Sequence, residues 1–333
     1  MTLDALAMAQ GVLLLPLSEE GARGRQPKGK SFLGPDWAAE SLAYTGGLGP
    51  DVRALWSARL IGIQSDRLSL DRLERILTCP WFPELLWEQS VFCHFQPIVS
   101  FSDQQVIGFE AVARAEIASR LVSGGELIEA AKAFGVLRQF DRQAVQAAIR
   151  EGSSCLQEDQ RLYVNVQPSS LAGAGSVLEA ARDVIKETRI DPGRIVFEMV
   201  ESEPLPAVSV LAKIRLEINE MGALFALDDV GSGYGALTNI VALQPDFVKI
   251  DGSLVRQQEA AGCLDLVSGL VKLAKGTGAK VVIEGIETDS QWRFGARAGA
   301  DYGQGYLLGR PQALTRSLRA DGQALGTSLA RAA

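Results

Sequence analysis

The stretch of residues 224–251 reads LFALDDVGSGYGALTNIVALQPDFVKID. It opens on an apolar run, 224–231, that ends in two adjacent acids, Asp228 and Asp229. A second apolar run comes at 247–251, with Lys249 inside it. The residues between the runs suffice for a crossover helix, so the stretch reads as a β-α-β unit. Strands buried on both faces are nearly all apolar, so charges inside them ask for a reason.

The same alternation extends in both directions. Apolar runs stand at 161–168, 195–202, 280–287 and 302–309. Helix patterns stand at 126–150, 177–188, 207–221 and 263–276. Upstream, 94–101 and 106–114 read as strands joined by the polar turn 102–105, and so as an antiparallel pair. Eight strands with repeated crossovers imply an α/β fold, a (β/α)8 TIM-like barrel with an antiparallel first strand. The barrel is expected over 91–312, with a tail at 313–333 whose Leu314, Leu318 and Leu325 suit a closing helix.

Ahead of the barrel the pattern is weaker. Residues 1–17 are mostly apolar and fit a strand or a short helix, and 18–50 form a Gly/Pro-rich linker. Arg23, Arg25, Lys28 and Lys30 in that linker read as a solvated cluster before a phosphate or lipid contact. Residues 51–90 read as a helical lead. Leu70, Leu73, Ile76 and Leu77 share one face, Ser69 is a candidate N-cap, and Pro80 and Pro83 are expected to stop the helix. Trp81, Phe82, Trp87 and Phe92 are expected to pack onto the downstream chain.

Composition narrows the chemistry. Lys and Arg number 33 against 40 Asp and Glu, so the net charge is −7, which argues against a surface for polymeric nucleic acid. The one histidine, His94, excludes a multi-histidine metal site within the chain, and no catalytic role is assigned to it. Four cysteines without C-x-x-C spacing read as reduced thiols, consistent with a cytoplasmic protein. No transmembrane segment is expected.

Polar residues interrupt the strands near their carboxyl ends: Glu110, Asn165, Glu198, Asp228, Asp229, Lys249, Glu284 and Gln304. That end of such a barrel is where active sites are built. Five carboxylates around one mouth repel unless cations intervene. Oxygen ligands of this kind suit Mg²⁺ or Mn²⁺ rather than zinc. A pair of such ions is the clamp used for phosphoryl displacement.

These residues sit in a set of motifs that resembles the EAL-domain family of cyclic-di-GMP phosphodiesterases. The pieces are QPIV (96–99), GFEAVAR (108–114), NVQPSSL (165–171) and FEMVES (197–202). They continue with ALDDVGSGYGAL (226–237), DFVKIDGSLV (246–255), VIEGIET (282–288) and DYGQGYLLGRP (301–311). The resemblance implies hydrolysis of cyclic di-GMP to linear pGpG with two Mg²⁺ or Mn²⁺ ions (Mg2+ or Mn2+). It implies that Glu110, Asn165, Glu198 and Asp228 hold one ion, and Asp228, Asp229 and Glu284 the other. Lys249 would contact the attacking water, with Gln304 supporting the site. Gln96 and Arg114 would contact guanine and phosphate, Glu201 would anchor the loop after strand five, and Glu287 would support the ligands from behind. A homodimer through the barrel is implied as well.

The chain departs from the family pattern at Val112, Gln167, Val200, Val230 and Ser232, none of them a ligand position. Several lie in or near the loop that couples site to dimer in this family. The alternatives are therefore a cyclic-di-GMP receptor or protein-interaction module with weak turnover, and another metal-dependent barrel hydrolase.

Overall fold

The computed structural model describes residues 12–16, 56–60, 68–69, 72, 75–76, 78–171, 176–200, 208–231 and 236–313. They fall into two compact units, one holding 1–91 and 115–140, the other 92–114 and 141–333.

The second unit is a closed eight-stranded barrel. In chain order, the strands that precede and build it are β1 (Val12–Pro16), β2 (Trp56–Leu60), β3 (Leu68–Ser69), β4 (Phe92–Ser100), β5 (Val106–Ile117), β6 (Arg120–Val122), β7 (Arg161–Val166), β8 (Ile195–Val200), β9 (Leu224–Val230), β10 (Phe247–Ile250), β11 (Lys280–Ile283) and β12 (Tyr302–Gln304). The barrel runs β4-β12-β11-β10-β9-β8-β7-β5, and pairing of β4 with β5 closes it. β4 is antiparallel to both neighbours, and the other contacts are parallel. The expected antiparallel first strand is present.

The helices are α1 (Phe82–Glu88), α2 (Gly124–Phe134), α3 (Leu137–Cys155), α4 (Val177–Thr188), α5 (Val208–Glu220), α6 (Ala236–Leu243), α7 (Gly252–Arg256), α8 (Cys263–Gly276) and α9 (Asp289–Ala298). Outward strand residues such as Val164, Phe197, Leu227, Val248 and Val281 share one core with helix residues such as Val145, Val184, Ile218 and Val267. Inside the barrel lies a second layer: Ile98, Tyr163, Val196, Ala226, Phe247 and Val282. Strand side chains repeat every two residues. Two positions further toward the carboxyl ends, that layer becomes Asn165, Glu198, Asp228, Lys249 and Glu284; Gln304 stands likewise two beyond Tyr302. On the antiparallel β4 the step runs the other way, from Ile98 to Gln96, which pairs with Glu110. The sheet's own period thus lifts one polar ring above one apolar layer.

The first unit holds an antiparallel sheet, β1-β2-β3. It also holds α1, whose Phe82 stacks on Phe134 with ring centroids 5.7 Å apart. Here several expectations change. Residues 72, 75–76 and 78 are helical, as expected for the face that holds Ile76, while Ser69 ends β3 and the residues that would start that helix lie outside the described ones. Pro83 begins α1 instead of ending a helix, because a first-turn residue has no intrahelical N–H bond to lose. Trp87 is exposed, although Phe82 is buried as expected. The single helix expected over 126–150 is two helices, because Gly135 at φ 71° ends α2 in the left-handed conformation. Leu70, Leu73, Leu77, the basic cluster at 23–30 and the tail leucines lie outside the described residues. Among the described residues no helix is long and apolar enough to cross a membrane.

Candidate active site

Lys249 occupies the centre of the polar ring. Its ammonium is fully buried, 2.7 Å from Glu284, 3.1 Å from Glu198, 3.2 Å from Glu110 and 3.4 Å from Asp228. Burial alone would favour the neutral amine, but those four carboxylates hold its pKa well above the ordinary lysine value. A permanent cation therefore stands inside an acidic cage.

The carboxylates are not equivalent. Burial opposes ionisation of Glu110, yet Lys249 and hydrogen bonds from Gln304 and Asn165, each 2.6 Å long, bring it below the usual range. Glu198 feels the attraction of Lys249 but receives no hydrogen bond. Both its oxygens are buried without a hydrogen bond, since Oε1 meets Lys249 at a distance suited to attraction but not with hydrogen-bond geometry. Burial and the negative charges of Glu110, Asp228 and Glu284 push it well up. Asp228 and Glu284 are raised by burial in the same way.

Asp229 reaches the ring by a backbone device. Straight alternation would turn it away from Asp228. However, β9 places Asp228 and Asp229 opposite the single Lys249 of β10, a bulge in the register, and Asp229 takes φ 57°. Its amide donates to Asp228 Oδ1 at 2.8 Å. Oxygens of Asp228, Asp229 and Glu284 then lie within 4.8 Å of one another. Burial, Asp228 and Asp251 push the Asp229 carboxyl up to about 7.

The expected divalent ions can be tested against this geometry. A buried carboxylate without a donor, Glu198, and three converging carboxylates are what a hard cation would satisfy. Every available donor is oxygen, so the set fits Mg²⁺ or Mn²⁺ and does not resemble a zinc site.

A cavity of about 300 Å³ opens beside the ring and is lined by Gln96, Glu110, Glu284, Glu287 and Gln304 among others. Gln304 Nε2 also reaches Gln96 Oε1 at 3.2 Å, and Gln96 Nε2 donates to the Gly309 carbonyl at 3.1 Å. Arg114 lies half-buried, bonded to the Ala113 carbonyl at 2.8 Å, with Glu110 and Tyr306 acting on its charge. The Glu287 amide donates to Gln291 Oε1 at 2.7 Å, beside the Thr288–Gln291 capping box that starts α9. Glu201 lies outside the described residues. His94 points to the same face of β4 as Gln96, and burial with Arg114 lowers its pKa.

Three residues at the mouth were not singled out in the sequence. Asp251 hydrogen-bonds Asp229 and caps α7 by accepting the Ser253 amide at 2.5 Å. Its signal was the D-G-S sequence two residues past Lys249, an N-cap pattern. Arg256 and Tyr306 line the cavity from α7 and from the segment after β12. Neither carries a strand-end signal.

Comparison with known proteins assigns the barrel to a family. The EAL domain model matches residues 81–311. The bifunctional diguanylate cyclase/cyclic di-GMP phosphodiesterase MucR of Pseudomonas aeruginosa is 28% identical over 237 residues, 68% of this chain and 34% of that protein. The probable cyclic di-GMP phosphodiesterase PdeB of Escherichia coli is 26% identical over 227 residues, 67% of this chain and 43% of that protein. The chain thus spans less than half the length of either relative. Among solved structures, a PaMucR phosphodiesterase in complex with c-di-GMP superposes with a TM-score of 0.65 at 26% identity, covering 72% of this chain and 97% of that one. A manganese and cyclic-di-GMP complex of BlrP1 from Klebsiella pneumoniae gives 0.60 at 25% identity, covering 67% and 56%.

Proposed function

The chain belongs to the EAL domain family, and on that premise we propose that it hydrolyses cyclic di-GMP to linear pGpG. What carries the reading is the oxygen-donor ring of Glu110, Asn165, Glu198, Asp228, Asp229 and Glu284 about Lys249. MucR and PdeB are both named for this substrate, MucR also for its synthesis.

In the reaction, water adds its oxygen to one phosphorus and the P–O3′ bond breaks. One water proton ends on the released 3′ oxygen, and the new 5′-phosphate keeps the water oxygen. Mg²⁺ or Mn²⁺ held by the ring would supply Lewis acidity, lowering the pKa of water and screening phosphate charge. The chain's own groups do the rest. Lys249 keeps a fixed positive charge in the ring and would orient the attacking water. Glu110, tied to Asn165, Gln304 and Lys249, is held in one rotamer, so it need not reorganise as charge develops. Gln304 passes that order on to Gln96, which would meet a guanine edge at the cavity wall. Arg114 offers a planar fork suited to a phosphate. Glu287, just ahead of α9, would support the ligands from behind, and Glu201 would anchor the loop after β9.

The test is incubation of the purified chain with cyclic di-GMP and Mg²⁺ or Mn²⁺, with pGpG followed by chromatography. Absence of product with intact ligand binding would favour the second reading, a cyclic-di-GMP receptor. The departures from the family pattern at Val200, Val230 and Ser232 favour that reading. A homodimer belongs to the same proposal: Leu237 and Val241 are exposed one turn apart on α6, and light scattering tests it.

A further inference from the structure

The apolar layer beneath the ring contains one oxygen. Tyr163 fills the barrel interior as one of its largest fully buried side chains, with its ring edge-on to Phe247 at 5.3 Å. Its hydroxyl has no hydrogen-bond partner. A phenylalanine would fill the layer without that cost, since a buried unpaired hydroxyl is unfavourable.

The surroundings of the hydroxyl suggest its use. Tyr163 is two residues below Asn165 on β7, beside Val196, which is two residues below Glu198 on β8. Phe247, against which its ring packs, is two residues below Lys249. Glu198 and Lys249 both act on the phenol electrostatically, as do Arg161 and Tyr302 from the other side. Glu198 is the one ring carboxylate whose oxygens all lack a hydrogen bond. An orphan donor and an orphan acceptor therefore occupy adjacent layers of the same two strands. Arg161, also on the inward face of β7, has an unpartnered buried Nε and lies over the Phe247 ring at 5.7 Å.

We infer that Tyr163 is a positioning residue: its hydroxyl, unpartnered in the metal-free site, takes Glu198 as its acceptor when a divalent ion draws that carboxylate into place, and holds it toward the ion from the floor of the site. The inference rests on the reading of Glu198 as a metal ligand. Groups that orient metal ligands from behind are worth about 10–100-fold in metal affinity.

The experiment uses the full chain without nucleotide. Mn²⁺ binding is measured by calorimetry for the wild type, Tyr163→Phe, Glu198→Gln and the double variant. Tyr163→Phe keeps the ring and removes one oxygen, so the metal-free protein should melt no lower than wild type. Its Mn²⁺ affinity should fall about tenfold. In turnover, kcat should fall while KM for cyclic di-GMP stays within about twofold, because the hydroxyl touches no substrate. In the Glu198→Gln background the Tyr163 effect should vanish, since the two act through one interaction. Unchanged Mn²⁺ affinity in Tyr163→Phe beside a weakened Glu198→Gln overturns the inference alone. Wild-type affinity in Glu198→Gln overturns the ligand reading, and the inference with it.

Discussion

Replacing Lys249 by Met tests the electrostatic account of the ring most directly. The ammonium has four carboxylate contacts of 2.7–3.4 Å. At an effective dielectric near 20, each such contact is worth about 5 kcal/mol before desolvation and carboxylate repulsion are counted. Most of that gross attraction offsets the burial of the charges themselves. What a variant loses is the cost of leaving buried acids without their cation, about 3–5 kcal/mol. For a domain of this size that lowers the melting midpoint by roughly 6–20 °C. The loss must depend on pH. Glu198, Glu284 and Asp228 are already raised by burial, and without Lys249 they will take up protons. The folded variant then binds more protons than its unfolded chain, so its stability falls as pH rises. The gap to wild type should be larger at pH 8 than at pH 5.5. Mn²⁺ at a hundredfold excess over its dissociation constant should return about 2.7 kcal/mol. Urea denaturation at both pH values, with and without Mn²⁺, measures all of this. A loss below about 1 kcal/mol at pH 8, or one indifferent to pH and Mn²⁺, would mean that Lys249 does not balance the ring, since removing a buried cation with four acidic partners must cost more than that.

Glu110→Gln and Asp228→Asn should each lower hydrolysis about a thousandfold, the factor that several kcal/mol of lost electrostatic stabilisation gives. Their circular dichroism should match wild type, and a variant that stays active contradicts the ligand set. Asp229, raised to about 7, keeps a proton in the folded state that the unfolded chain loses near pH 4. Its contribution to metal-free stability therefore declines from about pH 4 to about 7 and then levels off. Melts across that range should show the decline in wild type and not in Asp229→Asn, and Mn²⁺ affinity should rise through pH 7 as the proton is displaced. Gly285→Ala puts a methyl 2.9 Å from the Gly252 Cα at φ 66°, beside Glu284. It should cost about 1–3 kcal/mol and reduce turnover, as melting and initial rates will report.

The barrel was legible because each parallel strand repeats every two residues. A polar residue two places beyond a buried apolar one can be read from the sequence alone, as in Val196–Glu198 or Val282–Glu284. Asp229 followed from its neighbour's presence and not from any period, since the bulge that turns it inward is a backbone property of the β9–β10 pairing. The place of Lys249 at the centre of the ring was equally hidden. A lysine in a strand pattern does not say whether its ammonium points into acids or out to solvent. The one-helix reading of 126–150 missed the break because the apolar period resumes after Gly135. Asp251, Arg256 and Tyr306 escaped because loops and short helices carry no period to read against.

The charge count bears on how many ions the ring takes. Five carboxylates converge there, and Lys249 offsets one. Four negative charges are left, which matches two divalent cations and exceeds what one supplies. With a single ion, the phosphodiesters of an anionic substrate would enter against a residual double negative charge in a buried setting, where repulsion is weakly screened. The metal-free chain balances part of that excess by protonation, as the upward shifts of Glu198, Glu284, Asp228 and Asp229 express. Each proton held there competes with an ion for the same oxygens. Metal loading should therefore release protons in a number that reflects the ion count, and calorimetry in buffers of different ionisation enthalpy reads that number. Release of less than one proton near pH 6.5 would mean that the acids are already ionised and that the ring holds its charge without two ions.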